Sequence, residues 1–540
     1  MFKPISILSA LSERFFSVLS CLLIMLPAGV SAQVSINGNN WYDNGQNTVE
    51  EASRRAYLNT PGAAKNIILF LGDGMGPSTV TAARIYAGQQ QGFTGEEYAL
   101  SFELFPWAGL VKTYNTDAQV ADSAGTMTAI MSGVKTRSGV IGIDGRPLRG
   151  SCQSYLDTDG ATLLSALEIA EIAGKATGIV STARLTHATP AATYANSPDR
   201  NWESSRNLPE EAKTLGCSDI ASQLIDFKTR LQNKVNSGDS LSFIDGIDVA
   251  FGGGRSAFYS TDPASLNGFA ETANKGNRDD GRNLIQEWVQ QGGSYVMDQA
   301  GFNSLDSNTA ENVLGLFEDS HMRYEANRLE DIAGEPSLTE MTLKAIELLA
   351  NDENGFFLMV EAGRIDHAHH ANNAYNALNE AAELSRAVQA AVNAVDTNET
   401  LVIVTADHSH VMTMAGYPQR GNPILGVAGQ DTDGLPYTTL SYANGAGFDD
   451  NGTQTNADSR IGPPAPGRHD LSNVDTQAPG YHQESLAGTA GETHGGEDVG
   501  IYAVGPGAHL VSGSIEQNVI FHVMNFAGDL VNKARAVLEL

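Results

Sequence analysis

Acids and histidines stand wherever the longest apolar runs stop. Asp73 closes the run in "NIILFLGDGMG" (66–76), and Glu361, Asp366, His367, His369 and His370 follow the apolar start of "GFFLMVEAGRIDHAHH" (355–370). Asp407 and His408 end "TLVIVTADHSH" (400–410), and His494 in "GETHGGED" comes just before "VGIYAVGPG" (499–507). Asp and His side chains suit zinc, whereas carboxylate with hydroxyl and water suits magnesium. Taken singly, each residue is an ordinary strand end or surface histidine, and Asp366 with His370 at i+4 is an ordinary helix-face pair. Repetition across four runs is what points to a metal cluster. Seven of the 12 histidines (187, 367, 369, 370, 408, 410 and 494) fall in these motifs or in the 181–200 segment. A different chemistry is offered by "VADSAGTMTAIMSGVKT" (120–136), where Asp122 and Ser123 precede small residues with no charge before Lys135. That pattern is a capped helix start. Its serine becomes a nucleophile only if other segments bring it partners.

The elements that must position these groups read as strands and helices in alternation. Apolar runs of this length fit strands buried on both faces, and "TLLSALEIAEIAG" and "SLTEMTLKAIELLAND" between them have helical periodicity. Alternation of this kind predicts an α/β fold with a large, mostly parallel central sheet flanked by helices. In such sheets the functional crevice lies at the carboxyl ends of the strands, so the acids and histidines share one edge. The stretch from Met412 to about Tyr481 is rich in Gly, Pro, Asn and Asp and reads as an insertion of loops and short strands. "TVEEASRRAYLN", ahead of Asn66, reads as a helix.

Composition bounds the function. The 540 residues carry 63 acids against 33 bases, a formal charge of −30. No basic face for a nucleic-acid groove is expected from that balance, and any phosphate or sulfate site needs local positive charge from metal ions or arginine. At the N-terminus, Lys3 and Arg14 precede an apolar stretch (15–30) and then Val30-Ser31-Ala32. This predicts a cleaved signal peptide over 1–32, leaving 33–540 as the mature chain, in the periplasm or secreted. The alternative, a retained anchor, is disfavoured because the run is shorter than the ~20 residues of a span. No other stretch is long and apolar enough to be a transmembrane anchor. Loss of Cys21 with the signal leaves Cys152 and Cys217, either as one disulfide or as two buried thiols.

The segments "NIILFLGDGMG", "DSAGTMTAIMSGVKT", "VSTARLTHATPAATYAN", "GLFEDSHMRYE", "EPSLTEMT", "VEAGRIDHAHH", "VTADHSHV", "GYPQRG" and "ETHGGEDV" run in order from Asn66 almost to the end. Together they resemble the alkaline phosphatase family, in its animal-like type. The resemblance implies a three-layer α/β sandwich with a crown insertion (412–481) at a homodimer interface. It further implies hydrolysis of small phosphate monoesters through a phosphoserine at Ser123, with inorganic phosphate as product. By the same resemblance, Asp366, His370 and His494 hold one zinc ion. Asp73, Asp407 and His408 hold a second, and Asp73, Thr189 and Glu361 hold one magnesium ion. Arg200 grips two phosphate oxygens, Asp122 orients Arg200, and His187 and His367 act through water on magnesium and phosphate. Cys152 and Cys217 are joined, and Tyr417 reaches toward a partner's site unless it is an ordinary buried aromatic. A calcium site built around Phe317, Glu318 and Glu335 is also implied. A further acid expected in 260–267 is replaced by Ala264 or displaced, which leaves calcium open. The competing readings are a phosphodiesterase or sulfatase-like hydrolase of the same superfamily, and a non-catalytic binder. Ser123 together with Arg200 favours monoesters, and no Gly-x-Ser-x-Gly surrounds Ser123 to support a serine hydrolase.

Overall fold

Seventeen strands are found among the residues that the computed structural model describes, which are 39–55, 64–235, 244–260, 276–447 and 468–539. The signal segment, Ala264 and the middle of the 412–481 insertion lie outside them. The first eight strands are β1 (Asn66–Gly72), β2 (Trp107–Lys112), β3 (Ala176–Arg184), β4 (Val249–Gly253), β5 (Ser294–Val296), β6 (Val313–Leu316), β7 (Phe356–Ala362) and β8 (Thr400–Thr405). Six short ones follow: β9 (Ser409–His410), β10 (Met412–Met414), β11 (Val427–Gln430), β12 (Pro436–Thr438), β13 (Leu440–Gly445) and β14 (Ser485–Gly488). The chain closes with β15 (His494–Gly495), β16 (Val499–Val504) and β17 (Gly513–Glu516).

Ten of these form one sheet in the order β17-β2-β16-β8-β1-β7-β3-β4-β6-β5. From β8 to β5 every pairing is parallel. Helices cover both faces, so β7 and β8 are buried at every position and β1 at all but its first.

β16 departs from the expectation of strands buried on both faces. It runs antiparallel to both β8 and β2, and its residues alternate between buried and half-buried. The half-buried face carries Tyr502, which meets Phe102 of the Ser101–Leu104 turn at a ring distance of 5.1 Å. The reversal has a functional consequence. His494 lies before β16 rather than after it, and the start of a reversed strand falls on the same sheet edge as the ends of its parallel neighbours.

The described parts of the 412–481 stretch form loops and short strands, and the small sheet β10-β13-β14 there continues past Tyr481 to Gly488. Tyr417 stands there fully exposed, so it is no buried aromatic. The N-terminal helix spans Asn40–Arg55 and seats Tyr42 on Phe521 and His522. Cys152 and Cys217 form a disulfide, as the resemblance implied. Among the described residues no helix is long and apolar enough to cross a membrane.

Candidate active site

Sheet register gathers the site. Leu71 of β1 pairs with Glu361 on one side and Thr405 on the other, and Ser181 of β3 pairs with Glu361 from its far side. Asp73 and Asp407, each two residues beyond the Leu71–Thr405 pair, therefore leave neighbouring strands side by side. The Arg364–His370 helix that follows β7 presents Asp366 and His370 on one face.

Asp366, His370 and His494 converge. His370 Nε2 lies 3.3 Å from Asp366 Oδ1, His494 Nε2 lies 3.4 Å from the same oxygen, and the two Nε2 atoms are 3.2 Å apart. Asp73, Asp407 and His408 form a second group, with His408 Nε2 at 3.4 Å from Asp73 Oδ1 and 3.3 Å from Asp407 Oδ2. Ser123 Oγ is 3.1 Å from that same His408 Nε2. Asp73 and Glu361 also approach His187 in a third group. Thr189, in the short turn after His187, is fully buried.

The tautomers are set by backbone carbonyls. His370 Nδ1 donates to Glu492 O (2.6 Å), His494 Nδ1 to Ala121 O (2.7 Å) and His408 Nδ1 to Ser409 O (3.2 Å). Each Nε2 is therefore left with a lone pair aimed at carboxylates and at other lone pairs. That arrangement is repulsive by itself and suits a cation. Orphaned oxygens agree with this. Both carboxylate oxygens of Asp73, Oε1 of Glu361 and Oγ1 of Thr189 are buried without a hydrogen-bond partner, a costly state unless an ion satisfies them.

Electrostatics record the same crowding. Burial, then Asp407, Asp366 and Glu361, raise the Asp73 carboxyl well above its usual range. Burial, with help from Asp407, pushes Glu361 up to about 8 against the opposing bond from Ser181. Burial would raise Asp366 too, but His370, His410 and His494 outweigh it and hold that carboxyl low. His408 is driven well below the usual histidine range by burial and then by His494, so it is neutral and able to ligate.

Ser123 begins a ten-residue helix (Ser123–Ser132) that is buried throughout. Asp122 is its cap: Oδ2 accepts from Ala124 N (3.0 Å) and from Gly139 N (2.8 Å). Its other oxygen, Oδ1, receives Arg200 Nη1 at 2.6 Å. Arg200 Nη2 donates to His187 Nε2 at 2.9 Å. An arginine can only donate, so the His187 proton sits on Nδ1, which is buried and unpaired. By the same logic Arg364 Nη1, 3.3 Å from His367 Nδ1, places the His367 proton on Nε2.

Comparison with known proteins decides what this arrangement belongs to. A family model described as "Alkaline phosphatase" matches residues 64–530. The chain belongs to the alkaline phosphatase family. It is 42% identical over 494 residues to the alkaline phosphatase of Gadus morhua, covering 90% of this chain and 96% of that one. It is equally identical to the tissue-nonspecific alkaline phosphatase of Homo sapiens, covering 90% of this chain and 88% of that one. Among solved structures, Thermus thermophilus alkaline phosphatase aligns with a TM-score of 0.58 at 25% identity, over 88% of this chain and 96% of its own. The alkaline phosphatase of the Antarctic bacterium TAB5 aligns at 0.55 and 22%, over 87% and 99%, a likeness of fold. As a member of this family the chain is a metal-dependent phosphate monoester hydrolase.

Within this alkaline phosphatase-family site, several groups went unassigned in the sequence. His410 sits between carboxylates, with Nε2 2.7 Å from Asp366 Oδ1 and Nδ1 2.5 Å from Glu492 Oε2. Burial would lower its pKa, yet the two acids push it up to about 10. Its i, i+2 spacing from His408 was the available signal, since alternate residues of a strand share a face. Ser181 Oγ donates to Glu361 Oε2 and leaves Oε1 free. His321 packs on His367 at a ring distance of 3.9 Å, a contact no local motif announces.

The calcium group is gathered more loosely. Glu335 Oε1 accepts from Arg323 N at 2.8 Å while Oε2 is buried and unpaired, and burial followed by Glu318 pushes this carboxyl up to about 8. Arg323 also reaches Glu318 at 3.4 Å, and Phe317 is buried in the core.

Proposed function

We propose that the chain hydrolyses phosphate monoesters through a phosphoserine on Ser123. Two zinc ions would be held by Asp366, His370 and His494 and by Asp73, Asp407 and His408, and one magnesium ion by Asp73, Thr189 and Glu361. The observation that carries this reading is the set of Nε2 lone pairs and orphaned carboxylate oxygens facing one another around Ser123, a donor set suited to zinc and magnesium. Bound there, the ions supply Lewis acidity that favours the ionised serine hydroxyl and takes up charge on the leaving oxygen.

The chain's own residues do the rest. Arg200, pinned by Asp122, offers its guanidinium to two oxygens of the transferring group. The Ser123–Ser132 helix, whose Ala124, Gly125 and Thr126 N–H groups are taken up by Asp122, offers the same place the partial positive charge of its N-terminus. Ser123 Oγ attacks phosphorus, the ester P–O bond breaks, and the alcohol leaves with a proton. Water then attacks the phosphoserine, which restores Ser123 and releases inorganic phosphate. The His367 Nε2–H and His187 Nδ1–H are both free to hold water or phosphate oxygen.

The finer reading includes export by the 1–32 segment, a mature domain over 33–540, and a homodimer through the crown with Tyr417 at the interface. It also includes a calcium ion at Phe317, Glu318 and Glu335, which the unpaired Glu335 oxygen supports. The test is acid quenching during turnover, with mass spectrometry of the Ser123 peptide and metal analysis. Wild type is expected to show a phosphate adduct, two zinc and one magnesium per chain. Ser123→Ala is expected to lose the adduct and nearly all monoesterase activity. Wild-type-like turnover by Ser123→Ala rejects the covalent route. Higher efficiency on a matched diester than on the monoester rejects the substrate class.

A further inference from the structure

Glu492 lies in a two-residue step before β15, in a motif where only the histidine two residues on suggested chemistry. Its side chain is fully buried, and all four of its polar groups are engaged. Its N–H donates to His370 O (2.9 Å), and its carbonyl accepts His370 Nδ1–H (2.6 Å). Oε1 accepts Val411 N–H at 2.7 Å, and Oε2 faces His410 Nδ1 at 2.5 Å. His410 then reaches Asp366 Oδ1 through its Nε2 at 2.7 Å. Two residues beyond Glu492, His494 is paired in register with His410 across β15 and β9.

Through these bonds one residue touches or ties all three members of the Asp366, His370 and His494 group. The main chain sets which His370 nitrogen is free. The side chain fixes the ring that holds Asp366. The β15–β9 pairing carries His494 to the same ring from the other side. We propose that Glu492 is a positioning residue of this metal centre, holding Asp366, His370 and His494 in ligating geometry. The inference rests on the reading that these three residues ligate zinc.

The chemistry demands a carboxylate rather than any residue of its shape. Both side-chain oxygens face N–H groups, so both must accept. A glutamine at 492 can keep its oxygen on Val411 N–H only by turning its NH2 to His410 Nδ1. The ring is then held there by a neutral amide in place of a carboxylate and its grip on Asp366 loses the charge-assisted bond, while the backbone contacts to His370 stay. Groups that orient metal ligands through a second hydrogen bond are costly to lose.

The experiment follows release of zinc from the holoenzyme into an excess of chelator, with the cobalt-substituted enzyme giving a ligand-field spectrum. Glu492→Gln is expected to release one of the two zinc ions about 10–100-fold faster and to shift the cobalt bands. The melting temperature of its metal-free form should match that of metal-free wild type. A purely structural role would lower that melting temperature and leave the release rate and spectrum unchanged, and this result overturns the proposal. Asp366→Asn run in parallel separates the two levels of inference. If Asp366→Asn releases zinc rapidly and Glu492→Gln does not, only the positioning role fails. If Asp366→Asn keeps both ions at the wild-type rate, the ligand assignment fails and the positioning role with it. Should Glu492→Gln not fold, His410→Gln breaks the same link from the other end. It is expected to give the same selective release, and wild-type release from it counts against the proposal.

Discussion

At the scale of single residues, the site depends on groups whose two ends are committed differently. Asp122 shows this best. One oxygen accepts two backbone N–H groups, from Ala124 and Gly139, and the other receives Arg200. Burial works against ionising this carboxyl, but Arg200 and the Gly139 N–H outweigh it and keep it charged. Asp122→Asn would preserve the backbone bonds with its oxygen and turn an NH2 toward Arg200, donor against donor. Arg200 would then swing free. Competitive inhibition by inorganic phosphate is expected to weaken about tenfold, close to 1.4 kcal/mol, as measured by the inhibition constant at fixed metal. An unchanged constant would mean that the arginine needs no such anchor. Asp73, Glu361, Asp407 and His408 were legible in the sequence because an apolar run ending in such a residue is visible along the chain. Asp122 was readable as a helix cap from the residues around it, but its hold on Arg200 only through the family resemblance. Ser181 and Glu492 were opaque for a physical reason. Ser181 matters because β3 pairs it with Glu361, 180 residues away, and Glu492 matters because it meets residues 370, 410 and 411.

At the scale of elements, the strands carry one kind of chemistry at each end. Their carboxyl ends deliver the metal-ligand group, and the opposite edge holds a buried acid cluster with a structural character. There Glu171 accepts from the N–H groups of Asp245 and Gly246 and from Thr177 Oγ1, and Asp248 at the start of β4 accepts from Thr177 N at 2.7 Å. Burial, followed by Asp245 and Asp352 against the Thr177 bond, pushes Asp248 up to about 7. Its carboxyl therefore binds a proton more tightly folded than unfolded, where its pKa is about 4. Stability from this group is present below pH 4 and is lost as pH rises to about 7. Asp248→Asn keeps the acceptor for Thr177 N and cannot ionise. Its melting temperature is expected to exceed that of wild type by a margin that grows from pH 5 to pH 7 and then levels off. A margin that shrinks over that range would refute the sign. The reversed direction of β16 also belongs to this scale. Hydrophobic runs reveal that a strand exists, but its direction is set by which neighbours it pairs with, and a single sequence does not display that.

At the scale of the whole molecule, the charge of −30 and an anionic substrate pull against each other. The site carries its own positive charge in Arg200 and in the ions its ligands are suited to hold, but that charge is local. The surplus of acids belongs to the chain as a whole, and its field reaches outward as far as screening allows. At about 0.01 M salt the Debye length is near 30 Å, and an approaching dianion feels the protein's overall charge before it feels the site. At 0.15 M the length is about 8 Å, and only the site's neighbourhood counts. The value of kcat/KM for a dianionic monoester is therefore expected to rise as an inert salt is added over this range. A neutral field would give no trend, and an anion-attracting one would give the opposite trend. Phosphocholine supplies the internal control, because its quaternary ammonium offsets part of the phosphate charge and should flatten the response. If kcat/KM for the plain dianion instead falls with salt, the local positive field of the site dominates at long range, and the acidic surface does not govern substrate approach.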